Sequence, residues 1–170
     1  MTSRVALYSG ILAVIAVLQT NVLVAVEIAG VRPDLLLIVL AWYSVVNGSF
    51  EGQIGGFVGG LVEDLLSLAP PGFHALLRAV MGFLFGVLHN RMLVDAVLVP
   101  VLLLSVGTVV KSLLAGLTAT VFAMEGLSSV ALSSRLFVEV GYNAVLAPIL
   151  FALLRLIRPL RRSRRESTTL

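Results

Sequence analysis

Long apolar segments dominate this chain and limit the folds that it can adopt. The first runs for 22 residues, from Val5 to Val26, without a charged side chain. A helix of about 20 apolar residues spans the hydrocarbon core of a bilayer, which is roughly 30 Å thick. A signal peptide has a shorter apolar region, of about 7–15 residues, and a small-residue cleavage site, which this segment lacks. We therefore expect it to be a transmembrane helix that stays on the protein.

Five more apolar segments follow, with turn residues in the short connectors between them. The six predicted spans are Val5–Val26, Asp34–Val46, Gly52–Leu68, Phe73–Leu88, Leu93–Phe122 and Leu136–Ile157. The alternation typical of a membrane barrel is absent, and an unclosed sheet would leave its edges unpaired in lipid. The sequence predicts an all-α polytopic membrane protein: six transmembrane helices in one bundle over residues 1–158, and a basic polar cytoplasmic tail over residues 159–170.

Two of these spans have unusual lengths. The 13 residues of Asp34–Val46 make only about 20 Å of helix. We expect this helix to continue towards Phe50 or to lie partly sunk between its neighbours. The 30 residues of Leu93–Phe122 are too many for an upright crossing. They predict tilt, a kink at Pro100 or an extension beyond the bilayer.

The composition excludes several classes of protein. Hydrophobic residues make up 59% of the chain and charged residues 12%, whereas a soluble domain has roughly a quarter charged residues. The pI near 10 does not indicate nucleic-acid binding, because half of the twelve basic residues lie in the last sixteen positions. The absence of cysteine excludes disulfides, thiolate catalysis and cysteine metal sites.

The basic residues also predict the orientation. With six spans, Arg4, Arg91 and the tail arginines share one side, against Arg32, Arg78 and Arg135 on the other. By the positive-inside rule, both termini are then cytoplasmic. We expect the arginine-rich end to fix this topology and to hold anionic lipid, with docking onto a cytoplasmic filament as the alternative. Its residues are Arg155, Arg158, Arg161, Arg162, Arg164 and Arg165.

Several polar side chains lie within the predicted spans, all in the half nearer the outer surface. They are Glu63, Asp64, Arg78, Lys111, Glu139 and Asn143. Because such groups are costly in lipid, they usually face the bundle interior and have partners. We expect Asp64 to pair with Lys111 or Arg78. For Glu63 and Arg78 the alternative is that they reach into the headgroup region.

Glycines recur every fourth residue in the third span. Two neighbouring rows result: Gly52, Gly56 and Gly60, which continue to Asp64, and Gly55 and Gly59, which continue to Glu63. Small residues at this spacing let a second helix backbone approach closely. The rows predict a close helix contact, either within the bundle or with the transmembrane helix of a partner.

The stretch that contains these glycines resembles the MreD family of rod shape-determining membrane proteins. The resemblance rests on RPDLLLIVL, followed by GFVGGLVEDLLSLAPPGFHALLRAVMGFLFG, where the family's pattern falls on Gly56, Gly60, Asp64 and Gly72. It implies a non-enzymatic scaffold in the bacterial inner membrane. The implied partners are MreC, the RodA glycosyltransferase, a penicillin-binding transpeptidase and the MreB filament, in the machinery that synthesises side-wall peptidoglycan.

Two other functions remain as alternatives. The architecture is also similar to the substrate-binding subunits of energy-coupling-factor vitamin transporters, whose six-helix fold would place a ligand near Lys111, Glu139 and Asn143. An intramembrane enzyme is disfavoured, because the adjacent Glu63 and Asp64 point about 100° apart and cannot share a proton. No catalytic motif and no metal or cofactor site is predicted.

Overall fold

The computed structural model describes residues 31–89, 97–121 and 134–156, together with six positions between 10 and 19. Those six positions are helical, but most of the first predicted span lies outside the described residues. In the described part of the chain, five further helices form and no strand does. They are α1 (Leu35–Asn47), α2 (Ser49–Leu66), α3 (Phe73–Val87), α4 (Leu98–Val121) and α5 (Ser134–Leu156). The all-helical class is therefore confirmed, while the six-helix bundle stays a prediction.

The short helix α1 lies at the centre and contacts the other four helices. Ten of its 13 residues are buried, which agrees with the prediction that it lies sunk between its neighbours. The alternative that it continues towards Phe50 is wrong. Gly48 ends the helix with a φ of 112°, a backbone conformation that favours glycine. Phe50 therefore belongs to α2.

Helices α2 and α3 form an antiparallel pair joined by residues 67–72. Gly72 precedes α3 with a φ of 95°, again in the left-handed region that favours glycine. Helix α3 begins at Phe73, as predicted. Helix α2 begins three residues before the predicted Gly52 and ends two residues before the predicted Leu68.

Helices α4 and α5 are each long and apolar enough to cross a membrane, with 24 and 23 residues. Of the predicted fifth span, residues 93–96 and 122 lie outside the described residues. No kink is needed at Pro100, because it lies in the first turn of α4, where a backbone N–H has no partner within the helix. The 24 residues make about 36 Å of helix, so tilt or extension remains necessary.

The apolar core surrounds α1. Leu36, Leu37, Ile38 and Leu40 are almost completely buried there, and side chains from the neighbouring helices pack around them. Those neighbours include Met81, Phe85, Leu104, Ala147 and Phe151. By contrast, α4 and α5 leave many large apolar side chains exposed, as lipid-facing helices do. The centre and the outer surface of the bundle are thus apolar, and the buried charged side chains gather at one end of it.

Candidate functional site

The antiparallel path of the helices brings five charged residues together at one end. Asp34 precedes α1, Glu63 lies near the end of α2 and Arg78 in the first half of α3. Lys111 lies in the second half of α4, and Glu139 lies near the start of α5. These five residues form the ion network.

Asp34 is the centre of the ion network. Its Oδ2 accepts hydrogen bonds from Arg78 at 2.9 Å and from Lys111 at 2.8 Å. Its Oδ1 accepts one from the backbone N–H of Leu37 at 2.9 Å, which caps the N-terminus of α1. Only 4% of the residue is exposed. One carboxylate thus joins the start of α1 to α3 and α4.

Arg78 completes the network on the side of α2. Its Nε and Nη2 donate to the two carboxylate oxygens of Glu63 at 2.9 and 3.0 Å, which is the bidentate geometry that a guanidinium favours. Only 3% of Arg78 is exposed. The alternative that Arg78 reaches into the headgroup region is therefore wrong, and Glu63 is held in the bundle with it.

On the opposite side, Lys111 also donates to Glu139, so it joins α4 to α5 and to Asp34. Asn143, one turn after Glu139, accepts from the backbone N–H of Asp34 at 3.0 Å. Its side-chain amide donates to the Thr108 hydroxyl at 2.9 Å. Asn143 and Thr108 have no exposed surface. The buried polar groups thus satisfy one another, as they must where water is excluded.

Asp64 does not belong to this network, and its predicted pairing with Lys111 or Arg78 is wrong. Its carboxylate accepts from the backbone N–H groups of Gly72, His74 and Ala75 at 2.9, 2.8 and 3.1 Å. The His74 ring nitrogen Nδ1 lies 3.0 Å from Oδ1. Asp64 therefore caps α3 from the neighbouring helix, and the positive end of the α3 dipole stabilises its charge.

The glycine row Gly52, Gly56 and Gly60 lies against α3. A Cβ atom at these positions would overlap the backbone at Gly82, Arg78 and His74, respectively. Gly82 and Gly86 of α3 approach the α2 backbone in the same way. The contact is therefore internal, and the alternative of a groove for a partner helix along this row is wrong.

The second row, Gly55 and Gly59, is buried as well.

Of the six arginines at the arginine-rich end, one lies within the described residues. Arg155 is exposed in the last turn of α5, and the other five lie outside the described residues.

The charged side chains of the site pair with one another, and in the described part of the chain the two histidines do not form a metal site with them. Among the described residues, no group of three or more histidine or acidic side chains could hold a metal ion. His74 and His89 lie at opposite ends of α3, about 22 Å apart along the helix. His89 instead bonds the backbone carbonyl of Val45 at 2.8 Å.

Asp34 is the functional candidate that sequence reasoning missed. The sequence pattern marks it only as the first residue of a predicted span, whereas the other charged candidates lie inside apolar segments. The signal was present in RPDLLLIVL, where a carboxylate directly precedes a helix with no other polar residue for nine positions. A helix that is apolar all round is buried. When so short a helix is buried in the bundle, the acid at its start is buried with it and needs cationic partners.

A cavity of about 360 Å³ adjoins the ion network. Asp34, Arg78 and Lys111 line it, and so do Arg32 and Arg135, which are exposed. Such a volume lies at the lower end of the range for small-molecule sites, about 300–1,000 Å³. The site is therefore both a set of ion pairs between helices and one wall of a cavity with charged and apolar sides.

Comparison with known proteins gives one match. The family model described as rod shape-determining protein MreD matches residues 1–157. The match covers the ion network, the glycine rows and all five described helices. No curated protein and no solved structure shows significant similarity to the chain.

Proposed function

The chain belongs to the MreD family of rod shape-determining proteins, and from this premise we propose that it is a non-enzymatic membrane scaffold that binds MreC. In this role it helps to organise the enzymes of side-wall peptidoglycan synthesis. The family supports a part in rod-shape determination. MreC binding and a non-enzymatic role go beyond what membership of the family shows.

The observation that carries the proposal is the pairing within the ion network. The buried carboxylate of Asp34 is shared by Arg78 and Lys111, and each of these cations has a second acid, Glu63 or Glu139. A catalytic acid or base must instead be placed to exchange a proton with a substrate. Charges held in mutual pairs across five segments favour a rigid framework over a reacting centre.

The outer surface supports a partner within the membrane. Helices α4 and α5 expose large apolar side chains along much of their length, including Leu102, Val106, Leu117, Val145 and Ile149. Since the glycine row of α2 is already filled by α3, a transmembrane helix of MreC would have to use such an outer face. Contacts of this kind in lipid depend on close packing, because lipid is as apolar as the side chains.

Affinity capture from native membranes tests this function. We expect MreC to co-purify, together with RodA, the transpeptidase or MreB. Leu113→Trp on α4 and Ile149→Trp on α5 place bulk on the two outer faces without touching the core. If one of them abolishes MreC capture and leaves thermal unfolding unchanged, it locates the contact. Failure of the wild-type protein to capture MreC would contradict the proposal.

A vitamin-binding transporter subunit remains the second candidate, because the cavity beside the ion network could hold a small polar molecule. The same capture experiment separates the two functions. Co-purification of a pair of ATP-binding cassette proteins, or a vitamin bound to the purified protein, would favour the transporter.

We further propose that the protein is multi-pass in the bacterial inner membrane with both termini cytoplasmic, and that the arginine-rich end holds anionic lipid. Reporter fusions at the two termini test the orientation. A variant with all six tail arginines changed to glutamine should insert in mixed orientations. Uniform insertion with normal function would contradict the role of the tail.

A further inference from the structure

Seven charged side chains line the cavity beside the ion network. Its four basic side chains are Arg32, Arg78, Lys111 and Arg135, and its three acidic side chains are Asp34, Glu63 and Glu139. Without counting His74, the lining carries one net positive charge. The cavity also has an apolar part, formed by side chains such as Phe73, Leu77 and Leu136.

Arg135 lines the cavity but takes no part in the ion network. It is exposed at the start of α5, one turn before Glu139, and it has no ion-pair partner among the described residues. Lys111 donates to Asp34 and Glu139, which uses two of its three N–H donors. The wall therefore offers a guanidinium and an ammonium donor to a group inside the cavity.

The same wall offers acceptors. Each carboxylate has about four acceptor positions. Glu63 uses two on Arg78, and the contact of Glu139 with Lys111 uses one of its oxygens. A molecule that presents only negative charge would face these acids unfavourably. A molecule with an anionic group and a neighbouring hydroxyl donor can bind both the cationic donors and the carboxylate acceptors of the cavity.

From this juxtaposition we propose that the cavity binds a singly negative phosphodiester that carries free hydroxyl groups, such as a phosphoglycerol headgroup. Arg135, at the exposed side, pairs with the phosphate, for which guanidinium geometry is well suited. Lys111 contributes its third N–H donor. Glu139 accepts from the hydroxyl groups, and the apolar side chains cover the carbon atoms. The phosphate ester comes either from a lipid headgroup or from a soluble molecule, and this site goes beyond the proposed binding of MreC.

Native mass spectrometry of the full chain in detergent tests the site, with phosphatidylglycerol and phosphatidylcholine as probes. We expect the wild-type protein to prefer phosphatidylglycerol. Arg135→Gln should lower its affinity for phosphatidylglycerol by about tenfold, the effect of losing one charge-assisted hydrogen bond. Ala115→Leu, which fills the cavity without changing charge, should weaken binding as well.

Gly141→Leu is the matched control for Ala115→Leu, since it adds a leucine side chain outside the cavity lining, where a Cβ atom meets nothing within 4 Å. It should leave the affinity unchanged. Displacement of phosphatidylglycerol by glycerophosphoglycerol, the soluble phosphodiester with the same headgroup, would identify a soluble ester as sufficient, and binding without displacement would identify the lipid. An unchanged affinity of the Arg135→Gln protein, equal effects of Ala115→Leu and Gly141→Leu, or no preference for phosphatidylglycerol would overturn the proposal. MreC capture by Arg135→Gln, measured in parallel, reports on the scaffold function separately.

Discussion

Two contacts hold this bundle together, and they use opposite means. Helices α2 and α3 meet where side chains are missing, so that Gly52, Gly56 and Gly60 lie directly on the α3 backbone. Helices α4 and α5 are joined to the start of α1 by charged and amide side chains, through Lys111 and Asn143. Arg78 links the two contacts, because it packs against Gly56 and donates to Asp34.

The difference follows from the physics of a lipid surround. Apolar side chains gain little by leaving lipid for a protein neighbour, so helices need close packing or polar contacts to associate. A glycine contact tolerates no added volume, whereas an ion network tolerates no unpaired charge. The two contacts should therefore fail under different substitutions, and unfolding of the purified protein in detergent measures both.

The largest effect is expected at the residue that links the two contacts. Arg78→Met removes the cation that pairs with Glu63 and Asp34, so that Glu63 is left with no cationic partner among the described residues. Breaking a buried pair in this way costs about 3–5 kcal/mol of unfolding free energy. Arg155→Met, at an exposed position, should change stability by less than about 0.5 kcal/mol. Equal stability of the two variants would show that the network does not hold the fold.

Gly56→Leu tests the glycine contact. The added side chain would overlap the α3 backbone at Arg78, which cannot move aside as a flexible side chain can. We expect a loss near the upper end of the usual range for overpacking, about 3 kcal/mol. The matched control is Gly141→Leu on α5, where a Cβ atom meets nothing within 4 Å. A Gly56→Leu protein as stable as the Gly141→Leu protein would contradict the close contact.

A double-mutant cycle sharpens the description of the ion network. Lys111→Met and Glu139→Gln remove the two partners of one ion pair, so their effects on unfolding should be coupled by about 0.5–3 kcal/mol. Lys111→Met combined with Asp64→Asn serves as the comparison. Asp64 bonds the start of α3 and not Lys111, so these two effects should add. Coupling in the second pair and none in the first would reverse our assignment of partners.

The sequence predicted the helices better than the partners. The bounds of α1, α2, α3 and α5 lie within three residues of the predicted spans, because apolar runs and Gly-Pro turns are local signals. The spacing of the glycines correctly indicated a close contact. It could not identify α3 as the neighbour, since the row has the same appearance whichever helix fills it.

The charged residues show where local reasoning ends. Burial cost correctly indicated that Arg78, Lys111 and Glu139 need partners, but which partner each obtains depends on helix rotation and on the ends of the elements. For this reason the ion pairing expected for Asp64 is found instead at Asp34. Asp34, outside the first turn of α1, became the buried centre, and Asp64, within α2, became a cap for α3.

The smallest effect is expected for Asp64→Asn, which changes the cap at the join between α2 and α3. Asparagine offers one acceptor oxygen in place of two, so it cannot accept from the N–H groups of Gly72, His74 and Ala75 together. It also removes the negative charge at the positive end of the α3 dipole. By analogy with other N-terminal caps, the loss should be about 0.5–2 kcal/mol of unfolding free energy. The control is Glu51→Gln in the first turn of α2, the helix that also contains Asp64. It removes an equal charge at a site that does not cap α3, and it should cost less than about 1 kcal/mol of unfolding free energy. A loss of about 3–5 kcal/mol for Asp64→Asn would instead indicate a buried ion pair, and would return Asp64 to the ion network.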